Sequence, residues 1–496
     1  MQRKFVTNLI FLLALNFLIK PFWLLGIDRN IQNIVGSESY GFYFAIFNFS
    51  LLFNIILDFG ITSFNNRNIA QNKQLLKKHF SGIIVLKVLL IALYGIVVLL
   101  VGIFIGYDSK QLYFLLWVGI NQALLSFILY LRSNISGLLL FKTDSIISVL
   151  DRFLMILICS FLIWGNVFSS PFQIEWLMYS QTVAYLITLV VALVIVIQKS
   201  GFQKPNWNGL FLIMVIKKSL PFALMLFLMG IYNRVDSVML ERILSGTKGE
   251  FQSGVFAQAY RLFDAGNNIA LLFGVILLPI FARMIKKKDP VEKLVKLSFT
   301  IIFTFAIILA MSSYFYRDEI MKLLYSQHGD ELLSDFNQRI LQSGRIFGIL
   351  MFSFVAVCSS YIFGTLLTAL GKLRYMIKVA MVGVLINLIT NIMLIPSLEA
   401  VGAAYASLGA QTITAIAMIY GVQKRFAFSI NYRYLSQLFS FILLVWLLNY
   451  VSKFSPMNSL INYSGVLLFS LFFAYILNLL NVRSFIAMLK SDPRVK

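Results

Sequence analysis

Stretches of about 20 apolar residues recur along this chain, each parted from the next by a short segment rich in Lys and Arg. A run of that length crosses roughly 30 Å of hydrocarbon as an α-helix, which satisfies its own backbone where no water can. Such runs lie near 5–25, 40–63, 80–106, 111–131, 145–165, 174–197, 219–240, 252–282, 297–316, 340–367, 375–395, 400–421, 434–452 and 460–480. They predict an all-α polytopic membrane protein with about fourteen transmembrane helices. Composition agrees, since 59% hydrophobic against 12% charged residues leaves too little polar surface to cover a water-facing globule. Arg3 and Lys4 precede the first run as in a signal peptide, but no small-x-small cleavage site follows and Lys20-Pro21 interrupts it, so it reads as a retained first helix.

The net charge of +22 is carried by clusters between the runs, a placement that suits a membrane surface and not a nucleic acid. Alternate loops hold most of it, including Lys73, Lys77, Lys78, Lys199, Lys204, Lys286, Lys287, Lys288, Lys372, Arg374, Lys424 and Arg425. By the positive-inside rule these loops face the cytoplasm, with both termini on the same side. Acidic residues gather on the other side, where Asp318, Glu319, Asp330, Glu331 and Asp335 share the segment Arg317 to Arg339. That segment is long enough to cap a cavity and too short for a catalytic domain.

No enzymatic chemistry is expected of the chain. Cys159 and Cys358 lie inside apolar runs, and His79 and His328 lie in different loops, so neither a disulfide framework nor a metal-ligand spacing is present. The phosphate-loop pattern G-x-x-x-x-G-K-[ST] is missing as well, which puts any ATP hydrolysis on another chain. No cofactor is implied.

Two strings suggest an internal repeat. Gly41-Phe42-Tyr43-Phe44-Ala45 opens the second helix and Gly254-Val255-Phe256-Ala257 the eighth, while Phe141-Lys142 and Gly371-Lys372 precede the fifth and eleventh. Helices one to six then read as a weak copy of seven to twelve in the same orientation. This implies two six-helix bundles related by a pseudo-two-fold axis along the membrane normal, with a cavity between them. The corresponding divisions are 1–200, 201–425, and 426–496 for two additional helices and a cytoplasmic tail, the added pair offering a groove for a lipid tail. Chance similarity of short Gly-aromatic strings is the competing reading.

Three stretches resemble the multidrug/oligosaccharidyl-lipid/polysaccharide exporter superfamily, and within it the O-antigen and exopolysaccharide flippases. The first is Tyr40-Gly41-Phe42-Tyr43, then Leu57-Asp58-Phe59-Gly60-Ile61 and Asn66-Arg67-Asn68-Ile69-Ala70, similar to the family's YG-x-Y, LDxG and RxIA pattern. The second runs from Pro221 through Asp236-Ser237-Val238-Met239-Leu240 and Gly254 to Leu262, ending on Leu278-Pro279. The third is Leu367 to Lys372, Asn387, Asn391, Ile395-Pro396 and Val401-Gly402-Ala403-Ala404-Tyr405-Ala406. The resemblance implies alternating access in a bacterial cytoplasmic membrane and transfer of undecaprenyl-diphosphate-linked oligosaccharides for O-antigen, capsule or exopolysaccharide synthesis. It also implies the lipid-linked oligosaccharide, membrane lipids, a polysaccharide polymerase and chain-length machinery as partners, and no nucleic acid. Asp264 stands where the family often has a plain apolar residue.

Charges within the apolar runs carry the rest of the functional reading, because each costs about 2.5–3.5 kcal/mol at mid-bilayer unless it faces protein or water. Asp58, Asp151, Arg152 and Arg345 fall near predicted helix ends, where snorkelling or pairing explains them. Lys20, Lys87, Arg234 and Arg261 lie deeper and are candidates for a cationic cavity that holds a diphosphate, Arg being suited to bidentate phosphate contacts. Arg261 and Asp264 share a helix face and could instead neutralise one another. Lys20 precedes Pro21, which predicts a bend in the first helix. Asn267 and Asn268, and the pair Asn387 and Asn391, suit sugar hydroxyls or interhelical hydrogen bonds, the latter favoured for Asn387 and Asn391.

Coupling to a proton or sodium gradient would need a carboxylate, for which Asp236, Asp264 and Asp58 are the candidates. The rival readings are a drug or metabolite cation antiporter of the same superfamily, a lipid II flippase and a membrane polymerase, the last opposed by the short outside loops.

Overall fold

The computed structural model describes residues 15, 16, 18–62, 65, 66, 69, 72–165, 170–201, 209–329, 331–429 and 431–480. The first part of the first predicted helix, Lys204, Asp330, the tail after 480, and Arg67, Asn68 and Ala70 of the first motif lie outside the described residues, as do the side chains of Pro221 and Pro279. All regular structure among the described residues is helical. A π-helical stretch Phe22–Asp28 leads into α1 (Arg29–Leu52) and the short α2 (Ile55–Asp58). Then follow α3 (Leu75–Phe104), α4 (Ser109–Gly137), α5 (Phe141–Trp164), α6 (Ile174–Ser200), α7 (Gly209–Leu244) and α8 (Gly246–Lys287). The remainder is α9 (Glu292–Phe315), α10 (Arg317–Leu324), α11 (Leu333–Ala369), α12 (Leu373–Phe426), α13 (Tyr432–Ser452) and α14 (Ser459–Ile476).

Nine of these, α3 to α6, α9 and α11 to α14, are long and apolar enough to cross a bilayer by length and composition. Two continuous helices hide further turns. Gly36 breaks α1 with φ 78°, a conformation glycine reaches without penalty, and Glu399 breaks α12 with φ 54° and ψ −135°. Fourteen helices among the described residues have seven residues or more, and nine of them are the candidate spans.

The first joint differs from expectation. Helix one was expected to end near 25 and helix two to begin near 40, but helical backbone runs through this interval with Gly36 as its one break. The bend expected at Pro21 takes the form of the π-helical stretch that starts on the next residue. A similarly short joint links α7 to α8, where Ser245 and Gly246 both have positive φ.

The chain divides into two compact units, residues 1–241 with 245–254 and residues 242–244 with 255–496. Most of α7 therefore packs with the N-terminal half. In the first unit Phe80, Ile83, Leu86 and Leu90 of α3 meet Tyr130, Leu131 and Ile135 of α4 and Ala192 and Val196 of α6. In the second, α13 and α14 seat Leu438, Phe441, Val445 and Ala474 on Ile307 and Ile308 of α9. The outer faces stay apolar, as lipid requires, with Leu93, Ile96 and Leu100 on α3 and Leu468, Phe469 and Phe472 on α14 exposed.

The segment between α9 and α11 folds onto the second unit. Tyr316 is buried and its hydroxyl lies 2.7 Å from Ser452 Oγ, beneath the Lys453 ammonium, which also pairs with Glu319. Tyr325 donates to the Gln258 carbonyl at 3.0 Å.

Candidate functional site

The Leu57-Asp58-Phe59-Gly60 motif ends α2 and turns the chain with positive φ at Phe59 and Gly60. Asp58 accepts from the Thr62 backbone N–H at 3.3 Å and from its hydroxyl, which ties the turn together. The same carboxylate holds Lys87 of α3, with Nζ 2.6 Å from Asp58 Oδ1. Nζ also donates to the Leu57 carbonyl and to Ser126 Oγ of α4, each at 2.9 Å. An ammonium has three protons, and here all three are committed. Lys87 side chain is 0% exposed. Lys87 and Asp58, expected as a cavity cation and a coupling carboxylate, are bound to each other in the structure and clamp α2, α3 and α4 within the first unit.

A second polar cluster gathers around Asp28, which lies between the first two apolar runs of the sequence. Tyr40 Oη donates to Asp28 Oδ1 at 2.8 Å and Gln32 Nε2 to Oδ2 at 3.1 Å. Asp28 is 2% exposed. Tyr43 Oη lies 3.5 Å from Gln181 Oε1 on α6, whose amide donates to Tyr185 Oη at 2.9 Å. Two of the four residues of the Tyr40-Gly41-Phe42-Tyr43 motif therefore supply hydroxyls to the interior of the first unit. Phe42 packs edge-on against Phe114 with centroids 4.8 Å apart, and Gly41 leaves room for backbone. The i, i+4 spacing of Asp28 and Gln32 was the available signal, obscured because this stretch is polar enough to read as a loop.

Another buried carboxylate, Glu241 of α7, accepts from Gln111 Nε2 of α4 at 2.7 Å. Gln111 also completes a capping box with Asp108, so one side chain both starts α4 and fastens α7.

The remaining candidates are dispersed. Lys20 is exposed just before Pro21. Arg234 is half-buried on α7 and Asp236, two residues on, is buried. Arg261 and Asp264, both half-buried, lie on α8 in the second unit, and Asn268 Nδ2 donates to the Asp264 carbonyl at 2.8 Å. Asn387 and Asn391 are fully buried and bond to each other at 3.1 Å. Arg152 stacks over Trp23 at 5.5 Å and lies 3.8 Å from Asp151. Among the described residues no group of three or more His, Cys, Asp or Glu side chains could hold a metal ion.

Residues 5–285 match the family described as polysaccharide biosynthesis protein. The chain belongs to that family. Its fold is similar to that of transporters described as members of the MOP superfamily. The structure is similar to "Lipid II flippase MurJ, inward closed conformation", with TM-score 0.71 and 14% identity over 96% of this chain and 100% of that one. It is also similar to the Vibrio cholerae MATE transporter VcmN, with TM-score 0.54 and 16% identity over 84% of this chain and 98% of that one. A MOP superfamily transporter from Pyrococcus furiosus matches with TM-score 0.57 and 13% identity over 84% and 94%. No curated protein sequence matches the chain.

Proposed function

We propose that this polysaccharide biosynthesis family member moves undecaprenyl-diphosphate-linked oligosaccharides from the inner to the outer leaflet of a bacterial cytoplasmic membrane by alternating access, for O-antigen, capsule or exopolysaccharide assembly. The observation that carries the reading is the family match joined to the extent of the fold. The likeness to the MurJ flippase runs over 96% of this chain, whereas the likeness to the VcmN transporter stops at 84%. The positive loops then face the cytoplasm with both termini.

Arg234, Arg261 and Lys20 remain the cations for a diphosphate, with Lys87 withdrawn into the clamp. A lipid diphosphate needs such partners because an unmatched anion does not cross hydrocarbon. Arg261→Ala or Lys20→Ala should stop surface polysaccharide from appearing while the protein stays in the membrane. Normal export from both variants removes the cationic-cavity reading.

Lipid II as cargo is the second reading, favoured by the MurJ likeness. Complementation separates the two: rescue of surface glycan supports the first, rescue of cell-wall synthesis the second. If an ion gradient drives transfer, Asp236 and Asp264 stay the carboxylates to test, joined by Asp28, while Asp58 is held by Lys87. A polymerase and chain-length proteins would then act on the delivered units.

A further inference from the structure

The first turns of α9, the first turns of α13 and the segment after α14 come together at one face of the second unit. Between them lies a pocket of about 320 Å³. Lys293, Lys296 and Arg433 line it, and among the described residues no carboxylate does. Glu292, next to Lys293, is engaged elsewhere and accepts from the Ser429 hydroxyl at 2.8 Å and its backbone N–H at 3.2 Å. None of the three cations has an ion-pair partner among the described residues.

The walls are held in place. The Lys296 ammonium sits 4.5 Å from the centre of the Tyr434 ring, and the Tyr434 hydroxyl meets Thr300 Oγ1 at 2.5 Å. Asn431 caps α13 by accepting from the Tyr434 N–H at 3.0 Å. Asn478 adds a neutral amide to the lining.

The outer face of α13 is apolar, with Leu435, Phe439, Leu443 and Leu447 exposed and spaced four apart in one row. Twelve residues of helix rise about 18 Å, close to the roughly 15 Å of hydrocarbon in one leaflet. A cationic cup at the end of three apolar helices, two of which expose apolar faces of leaflet length, is complementary to a molecule with a phosphate head and acyl chains. Basic pockets between helix ends are where anionic headgroups bind.

We propose that this pocket binds the phosphate of an anionic two-chain phospholipid of the adjoining leaflet, and so ties α9, α13 and the end of α14 together. The proposal does not depend on which cargo the protein carries.

The test uses the full-length protein in a neutral detergent, titrated with short-chain phosphatidylglycerol or phosphatidylcholine while thermal unfolding is followed. Phosphatidylglycerol should raise the midpoint saturably and phosphatidylcholine should not. K293Q/K296Q/R433Q should weaken binding about a hundredfold at low salt, each charge near a headgroup contributing about fivefold. K286Q/K287Q/K288Q, at the end of α8, should bind as the wild type does. Equal binding of the two lipids, or equal loss in both triple variants, overturns the proposal. Saturation by inorganic phosphate alone would make the pocket a free-anion site, and binding of a polyprenyl diphosphate without phosphatidylglycerol would make it a cargo site; either result also overturns it. If K293Q/K296Q/R433Q does not fold, K293R/K296R/R433K should retain affinity. Wild-type protein extracted from equimolar vesicles should then hold more phosphatidylglycerol than phosphatidylcholine by native mass spectrometry, and equal retention contradicts the proposal.

Discussion

Lys87 Nζ lies 2.6 Å from Asp58 Oδ1, with the lysine wholly enclosed and the aspartate 30% exposed. Removing one partner of a buried pair leaves the other charge without compensation, which costs about 3–5 kcal/mol in full burial and less where water reaches one partner. Lys87→Gln should therefore lower the unfolding midpoint of the purified protein, by the equivalent of about 2–3 kcal/mol. Lys87→Met with Asp58→Asn should recover part of the loss, since both charges leave together. An unchanged midpoint with abolished export would return Lys87 to the cargo path.

Gly41 and Gly254 are both required by close backbone packing in the first unit. A Cβ on Gly41 would overlap the Glu250 carbonyl oxygen, and one on Gly254 the Ser37 carbonyl oxygen. Backbone cannot step aside as a flexible side chain can, so Gly41→Ala and Gly254→Ala should each cost about 1–3 kcal/mol or more. Thermal unfolding and membrane yield measure this, with Gly95→Ala as control because nothing lies near a Cβ there.

Arg339 grips Glu331 with two bonds, Nε to Oε1 at 2.8 Å and Nη2 to Oε2 at 2.9 Å, and Nη2 also donates to the Ser326 carbonyl at 3.0 Å. Burial pushes the Glu331 carboxyl up, but the Arg339 hydrogen bond, the His328 backbone N–H and the Arg339 charge outweigh it and hold the pKa below the ordinary glutamate value. The unfolded chain therefore takes up this proton first as pH falls. The stabilisation is present above about pH 4.3, the unperturbed value, and is lost as pH drops through the lower folded value. Wild-type unfolding midpoints should decline across that acid range, and Glu331→Gln should lack this part of the decline.

Tyr40 and Gln32 both depend on Asp28 as acceptor. Asp28→Ala removes the acceptor of two buried donors and should destabilise more than Tyr40→Phe, which should cost about 1.5–3 kcal/mol as a hydrogen bond to a carboxylate. Comparison of the two unfolding midpoints checks the order, and equal midpoints would detach Asp28 from this network.

The spans were legible because bilayer thickness sets their length, and the apolar runs of α3 or α9 show this directly. The joint at Gly36 was not, because Asp28 to Asn33 is polar and a helix that turns its polar face into a bundle looks like a loop. Cationic content was legible too, but not its use. Lys87 meets Asp58 across 29 positions, a pairing set by how α2 packs on α3 and not by any helical period. Arg261 and Asp264 show the reverse, since their shared face is plain from spacing while their surroundings depend on tertiary packing. The basic residues of the α9 and α13 pocket are not linked by any sequence period, because 140 positions separate Lys293 from Arg433 and the fold joins them.

The most direct measurement is leaflet transfer by the purified full-length protein in liposomes loaded with a fluorescent undecaprenyl-diphosphate oligosaccharide, read by its accessibility to an external quencher or glycosidase. Transfer is expected in the presence of the protein and much reduced with Arg261→Ala. Absence of transfer for any lipid-linked sugar, with gradient-driven movement of organic cations in the same vesicles, would contradict the flippase reading.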